Sequence, residues 1–259
     1  MVRIMTSVNS VASLYPLVLL AMCWELVARS GLVPPIFLPA FSHVIAGLWE
    51  QFFSGDFTWP VLTSLYRAAI GFAIAMIVGV VVGFAMARWT VVNLLFEPLI
   101  AAGFPAPKIA LLPIFILWFG IDNVSKILLV AFVCVFPFIV AAHGSAMMVS
   151  RAQIWAAEAM NTSHLALFWN VIFPASLPSL MSGIRVAIPH ALVATFAAEM
   201  IAGGGGLGGE LVYAQRFFET TKVFEILLIM LMLGYVMDVA FLRLRSHVLR
   251  WHDQNDVTE

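Results

Sequence analysis

Six charged side chains fall inside long apolar runs of this sequence: Glu25, Glu97, Lys108, Arg185, Glu199 and Asp238. An ionised group is costly in a bilayer, so it is kept there for pairing, for lining a watery path, or near an end where it can reach the interface. Such residues suit the attraction and passage of a charged solute. Lys108 stands in "GFPAPKIALLP", directly after Pro105 and Pro107. Two prolines break a helix there, and broken membrane helices line cavities or pack inside protein. Lys108 and Glu199 are therefore candidate pathway residues, with an internal ion pair as the other reading of Glu199. Arg185 and His190 join the candidates. Snorkelling to one interface is the other reading of Arg185 and Asp238.

Bond-making chemistry is not visible. The histidines His43, His143, His164, His190, His247 and His252 form no HExxH or other metal-ligand spacing. Cys23 and Cys134 both lie in apolar runs and read as packing residues. "GGGGLGG" (203–209) satisfies GxGxxG, but it follows an apolar helix rather than a strand, and no Lys–Ser/Thr pair follows it. Neither a dinucleotide fold nor a P-loop fits; a flexible glycine turn closing a span does. No metal and no cofactor is expected on this chain. Energy for any active work must come from an ion gradient or from another subunit.

The elements holding these residues belong in a membrane. Of 259 residues, 63% are hydrophobic and 10% charged, against about a quarter charged in soluble domains. The net charge of −1 gives nucleic acid nothing to bind. Six apolar segments are expected to span, at about 13–29, 68–87, 93–119, 126–148, 177–202 and 224–243. The N-terminal run carries Glu25 and lacks a clear cleavage site, so it reads as a retained first span. An even count puts both ends on one side. Arg243, Arg245 and Arg250 directly after the last span place that side in the cytoplasm. Arg3, Arg88 and Arg151 fall there too, with Arg29, Arg67, Lys126, Arg216 and Lys222 opposite. Between the first two spans, Val44, Ile45, Leu48, Trp49 and Phe52 recur at helical spacing, as in a helix lying in the interface or packed on its own protein. In the second span Gly71, Ala75, Gly79, Gly83 and Ala87 recur every fourth residue, a ridge along which another helix can approach, within the chain or in a second subunit.

One long segment on the cytoplasmic side is not apolar enough to span: "RAQIWAAEAMNTSHLALFWNVIFP" (151–174). Its first ten residues suit a helix. Asn161 accepts the left-handed conformation that ends one. Thr162 or Ser163 can cap a second helix, which is expected to stop at Pro174. The result is a short helix–turn–helix exposing Trp155, Leu165, Phe168 and Trp169, a docking device for a soluble partner.

This segment resembles the coupling loop of binding-protein-dependent ABC transporter permeases, whose pattern is E-A-A-x-x-x-G followed by a hydrophobic–Pro pair. "LFWNVIFPASLPSLMSGIRVAI" (167–188), "VLTSLYRAAIGFAIAMIVGVVVGFAMA" (61–87), "FPAPKIALLPIFILWFGIDNVSKI" (104–127) and "AAEMIAGGGGLG" (197–208) are similar to the nitrate/sulfonate/taurine group of these permeases. Aligned on Pro174, the family Glu falls on Trp155, the second Ala on Ala157 and the Gly on Asn161. Either Glu158 makes the docking contact instead, or coupling is weaker.

The resemblance implies an all-α membrane protein with the type I ABC importer permease fold. It implies a coupling loop at 150–174 built on Trp155, Ala157, Glu158, Asn161, Thr162, Ser163 and Pro174. Two ATPase subunits carrying ATP and magnesium would bind there. A second permease copy, in a homodimer, would complete the pathway in a bacterial inner membrane, and an extracytoplasmic solute-binding protein would deliver a small anionic solute to loops around 30–62, 119–125 and 203–223. An ion-coupled carrier or a membrane scaffold would show no substrate-dependent ATPase activity, which separates those readings.

Overall fold

In the computed structural model, residues 2–251 are described, with side chains from Tyr15 onward, and these residues hold helices and no strand. The expected spans fall on α1 (Val2–Arg29), α3 (Thr58–Arg88), the pair α4 (Thr90–Gly103) and α5 (Leu112–Phe119), α6 (Asn123–Met147), α9 (Phe173–Ala202) and α11 (Thr220–Val248). Among the described residues, four of these helices are long and apolar enough alone to cross a membrane, and the α4–α5 pair makes a fifth if it counts as one span. That pair bends by 95°. The residues between are Phe104–Pro107 and a 3₁₀ turn, Lys108–Leu111. Pro105 and Pro107 each remove a backbone donor, so no continuous helix can run through.

The core is three helices deep. α6 lies between α3 and α9, and Leu129, Val130, Cys134 and Phe138 on it are fully buried. The small-residue ridge of α3 is what admits α6. A Cβ on Gly71 would stand 2.6 Å from Cβ of Val130, and one on Gly83 would stand 2.6 Å from Cβ of Ala142. Gly71, Ala75, Gly79 and Gly83 are all buried against the chain itself. The ridge thus serves internal packing, where dispersion between closely approaching backbones drives association.

Around this core sit the shorter pieces. α2 (Phe41–Ser54) packs Val44 inward against its own protein and leaves Trp49, Phe52 and Phe53 exposed on its other face. Its packing on the protein is one of the two roles its pattern allowed. α1 is joined to it by the Trp24 indole donating to the Pro39 carbonyl at 2.9 Å and by Glu25 accepting from the Ser42 amide at 3.0 Å. α10 (Leu207–Arg216) packs on α9 and α11.

The 151–174 segment folds as α7 (Arg151–Ala159), a turn, α8 (His164–Leu167) and then a π-turn, Phe168–Ile172, that runs directly into α9. The helix does not stop at Pro174. Proline sits in the first turn of α9, where an amide donor is not required, and the wider π-turn ahead of it absorbs the change in register.

Candidate functional site

Two groupings of polar side chains occupy opposite ends of α9, and a third lies between them. At the first end is the α7–α8 knob. Asn161 adopts φ +58°, the left-handed conformation Asn tolerates better than most residues. The turn closes with the Thr162 amide donating to the Ala157 carbonyl at 3.2 Å, and the Ser163 hydroxyl accepts from the Ala166 amide at 3.4 Å as an N-cap. Ala157 is buried and anchors the turn, whereas Trp155, Glu158 and Ser163 are exposed and Thr162 and Pro174 half-buried. Met160, Leu165 and Trp169 are also exposed. Phe168 departs from its expected exposure: it turns inward against Phe84, ring centroids 5.2 Å apart. Arg88, at the end of α3, approaches His164 at 3.2 Å and ties the knob to the core.

At the far end the glycine run closes over Glu199. This residue is fully buried and paired with Arg67 at 2.7 Å, the internal-ion-pair alternative of its two readings. Around the pair every polar atom is engaged. Ser64 donates to Glu199, the Gly208 amide donates to it at 3.0 Å, and the Leu207 amide donates to Ser64 at 2.9 Å. Arg67 donates to Asn123 at 2.8 Å and to the carbonyls of Gly204 and Gly205. Gly203 to Gly206 all have positive φ, between 68° and 83°, which turns two carbonyls toward the guanidinium and brings the α10 amides toward the carboxylate. The run is thus a fitted collar rather than a loose turn. Lys126 lies beside it, buried, donating to the Ile121 carbonyl at 3.1 Å. Arg67 and Lys126, two of the basic residues expected at the outer side, are buried within the protein.

Between the two ends, Arg185 of α9 makes a two-pronged pair with Asp238 of α11, both contacts 2.8 Å. Its side chain is 44% exposed and that of Asp238 38%. His190, five residues on, is exposed, with its Nδ1 2.8 Å from the Val186 carbonyl. Lys108 sits apart at the α4–α5 bend, where its Nζ donates to the Phe104 carbonyl at 2.6 Å and lies 4.9 Å from the centre of the Phe136 ring. The structure therefore places Arg185 and His190 on the same exposed stretch of α9, about 140° apart round the helix, and leaves Glu199 and Lys108 elsewhere. Sequence reasoning missed Ser64 and Arg67 as partners of Glu199, and Asn123 as a partner of Arg67. The available signal was spacing: Ser64, Arg67, Gly71 and Ala75 share one helix face, so two polar residues extend the small-residue ridge.

Comparison with known proteins gives one consistent answer. A family described as "Binding-protein-dependent transport system inner membrane component" matches residues 75–250. The taurine transport system permease protein TauC of Escherichia coli is 30% identical, over 93% of this chain and 90% of that protein. The putative aliphatic sulfonates transport permease protein SsuC of Bacillus subtilis is 29% identical over 93% and 87%. The formylaminopyrimidine transport permease protein ThiX of Halalkalibacterium halodurans is 28% identical over 90% and 92%. Among solved structures, a chain of the MetNI methionine ABC transporter in an inward-facing conformation superposes with TM-score 0.63 at 17% identity, covering 73% of this chain and 94% of that one. A chain of an amino acid ABC transporter superposes with TM-score 0.58 at 18% identity, covering 78% and 97%. The fold is thus that of the ABC importer permeases, and this multi-pass membrane chain belongs to the binding-protein-dependent transport system inner membrane components, as a permease subunit rather than a catalytic one.

Proposed function

We propose that the whole chain is one permease domain, half of an ATP-driven importer for a small anionic solute of the taurine or sulfonate class. Two copies form the pathway. Both termini and the 150–174 loop face the cytoplasm, and two separate ATPase subunits holding ATP and magnesium dock on the knob. The opposite end, with its loops around 30–62, 119–125 and 203–223, receives a solute-binding protein.

The observation that carries this reading is the knob: two short helices too short to span, exposing Trp155, Met160, Leu165 and Trp169. An aromatic-rich surface of this kind is what a partner's pocket anchors on. With Trp155 where the family pattern has Glu, docking here leans on apolar contact, and Glu158 supplies the charge. The knob runs through the π-turn into α9, so a displacement imposed by the ATPase is delivered to the helix bearing Arg185, His190 and Glu199. Taurine and sulfonates enter through the names of the relatives and suit Arg185 electrostatically.

The test is a pull-down from native membranes in mild detergent, comparing the intact chain with Asn161→Pro, followed by mass spectrometry of the retained subunits. Proline cannot adopt φ +58°. A P-loop ATPase retained by the intact chain and lost with the variant supports docking at the knob. An abundant, folded chain that retains no ATPase in either form overturns it. Stimulation of that ATPase by the binding protein loaded with taurine, against loaded with formylaminopyrimidine or empty, then reads the solute class.

A further inference from the structure

Two of the ion pairs among the described residues, Arg67–Glu199 and Arg185–Asp238, differ in a way that assigns them different work. Arg67 and Glu199 are buried and held by five further partners, Ser64, Asn123, Gly204, Gly205 and Gly208. Arg185 and Asp238 have only each other among the described residues, and both are part-exposed. By helical rise Arg185 lies about 12 Å inside the 177–202 span and Asp238 about 8 Å inside the 224–243 span, each measured from the end nearer the knob and the basic tail. Charged groups within a span face the bundle interior or a water-filled space, or reach the interface, rather than hydrocarbon, and this pair is part-exposed. Ser182, one turn before Arg185 and about 60° round the helix from it, is exposed as well, whereas His190 lies about 140° away beyond exposed Val186 and Pro189.

We propose, resting on the anionic-solute reading above, that Arg185 is an anion site of the pathway and that Asp238 is its resident counter-anion, which an incoming sulfonate or carboxylate displaces. The Nε and one terminal nitrogen of Arg185 each donate to one oxygen of Asp238. A sulfonate or carboxylate offers two oxygens to that same fork. Exchange of one anion for another keeps Arg185 paired throughout and leaves the part-exposed Asp238 carboxylate to water, ready to displace the solute in turn, so the solute neither is trapped nor meets a bare cation. Weak, reversible occupancy is what a transit site needs. An anion that offers only one oxygen replaces only one of the two contacts Asp238 makes and competes poorly with it, which makes Asp238 a specificity-determining residue.

The test uses the full-length chain, purified with its co-purifying subunits in nanodiscs, carrying Cys23→Ala and Cys134→Ala with Asp238→Cys. The probes are two water-borne methanethiosulfonates, one ending in ethanesulfonate and one in trimethylammonium, each rate divided by its rate with a free thiol. With Arg185 unpaired beside the new thiol, the sulfonate reagent is expected to react at least tenfold faster than its cationic counterpart. Arg185→Gln is expected to abolish that preference, and millimolar ethanesulfonate to slow labelling only when Arg185 is present. A position inert to both reagents, covered by lipid or by the second copy, overturns the proposal, as does a preference that survives Arg185→Gln. Should Asp238→Cys fail to fold, Ser182→Cys reads the same face with the pair intact. There little anion preference is expected, rising several-fold on Asp238→Asn, and no rise overturns the proposal. Loss of ATPase in the pull-down on the same preparation would sink the transport reading, whereas the labelling ratio reads the anion site alone.

Discussion

Glu199 decides how an isolated charge in an apolar run should be read. In the sequence it is one of six, and a path for ions accommodates it as well as a partner does. The structure surrounds it with Arg67, Ser64 and the Gly208 amide and leaves it no exposed atom. Removing one partner from such a pair strands the other charge, at a cost of about 3–5 kcal/mol. Arg67→Gln or Glu199→Gln is therefore expected to abolish the monodisperse peak in a heated fluorescence size-exclusion assay. Arg67→Met with Glu199→Met is expected to cost less than the sum of the two single changes, because no unpaired charge remains. A double variant that loses the full sum of the two single changes would mean that the pair holds nothing. Asn161 gives a milder case. Its left-handed φ costs a non-glycine residue about 1–2 kcal/mol unless the side chain relieves it. Asn161→Gly is expected to retain the ATPase as the native chain does, while Asn161→Val loses most of it in the same pull-down. Turn chemistry made Asn161 legible from sequence, since Asn before Thr-Ser is a local signal. The partners of Glu199 were not legible, because Ser64 and Arg67 lie more than a hundred residues away and only folding brings them together.

Helices are the scale at which the sequence is most informative, and α3 shows where that information stops. The four-residue recurrence of Gly71, Ala75, Gly79 and Gly83 identifies a contact face, but periodicity carries no name for the partner. Burial against Val130 and Ala142 supplies it. Gly83→Val would put its Cβ within 2.6 Å of both Ala142 Cβ and the Ile139 carbonyl, neither of which can withdraw without moving α6. Overpacking costs about 1–3 kcal/mol, so the folded fraction should fall with no separate change in dimer dissociation. A change confined to dimerisation would place the ridge at the subunit interface instead. The π-turn was illegible for a related reason: a π-turn is one residue of excess within a helix and leaves no periodic mark. It sets the azimuth of the knob. Inserting one alanine after Ala175, in the regular helix beyond the π-turn, turns α7–α8 by about 100° relative to the rest of α9. The chain is then expected to insert and pair normally, yet retain at least tenfold less ATPase. Undiminished retention would show that the knob finds its partner whatever its orientation.

On the scale of the whole molecule, α8, the π-turn and α9 form one helical stretch, His164–Ala202, from the knob to the glycine collar. At about 1.5 Å per residue this is roughly 58 Å, longer than the hydrocarbon core of a bilayer. The two ends share no contacting side chain, so changes at each should add in free energy to within about 0.5 kcal/mol when stability is measured. Transport is different, because it requires the two ends to move in step. Ser64→Ala removes the hydroxyl that donates to Glu199 and accepts from Leu207, loosening the collar without stranding a charge. Trp155→Ala removes one exposed anchor at the other end. For thermal stability in detergent, the double variant is expected to lose the sum of the single losses. For uptake per ATP hydrolysed in proteoliposomes, Ser64→Ala is expected to lower the ratio severalfold while leaving ATPase retention intact. Trp155→Ala is expected to lower retention while leaving the ratio of the complexes that remain. If Ser64→Ala lowered both in parallel, the collar would be acting only on folding, and α9 would not be the element through which the two ends communicate.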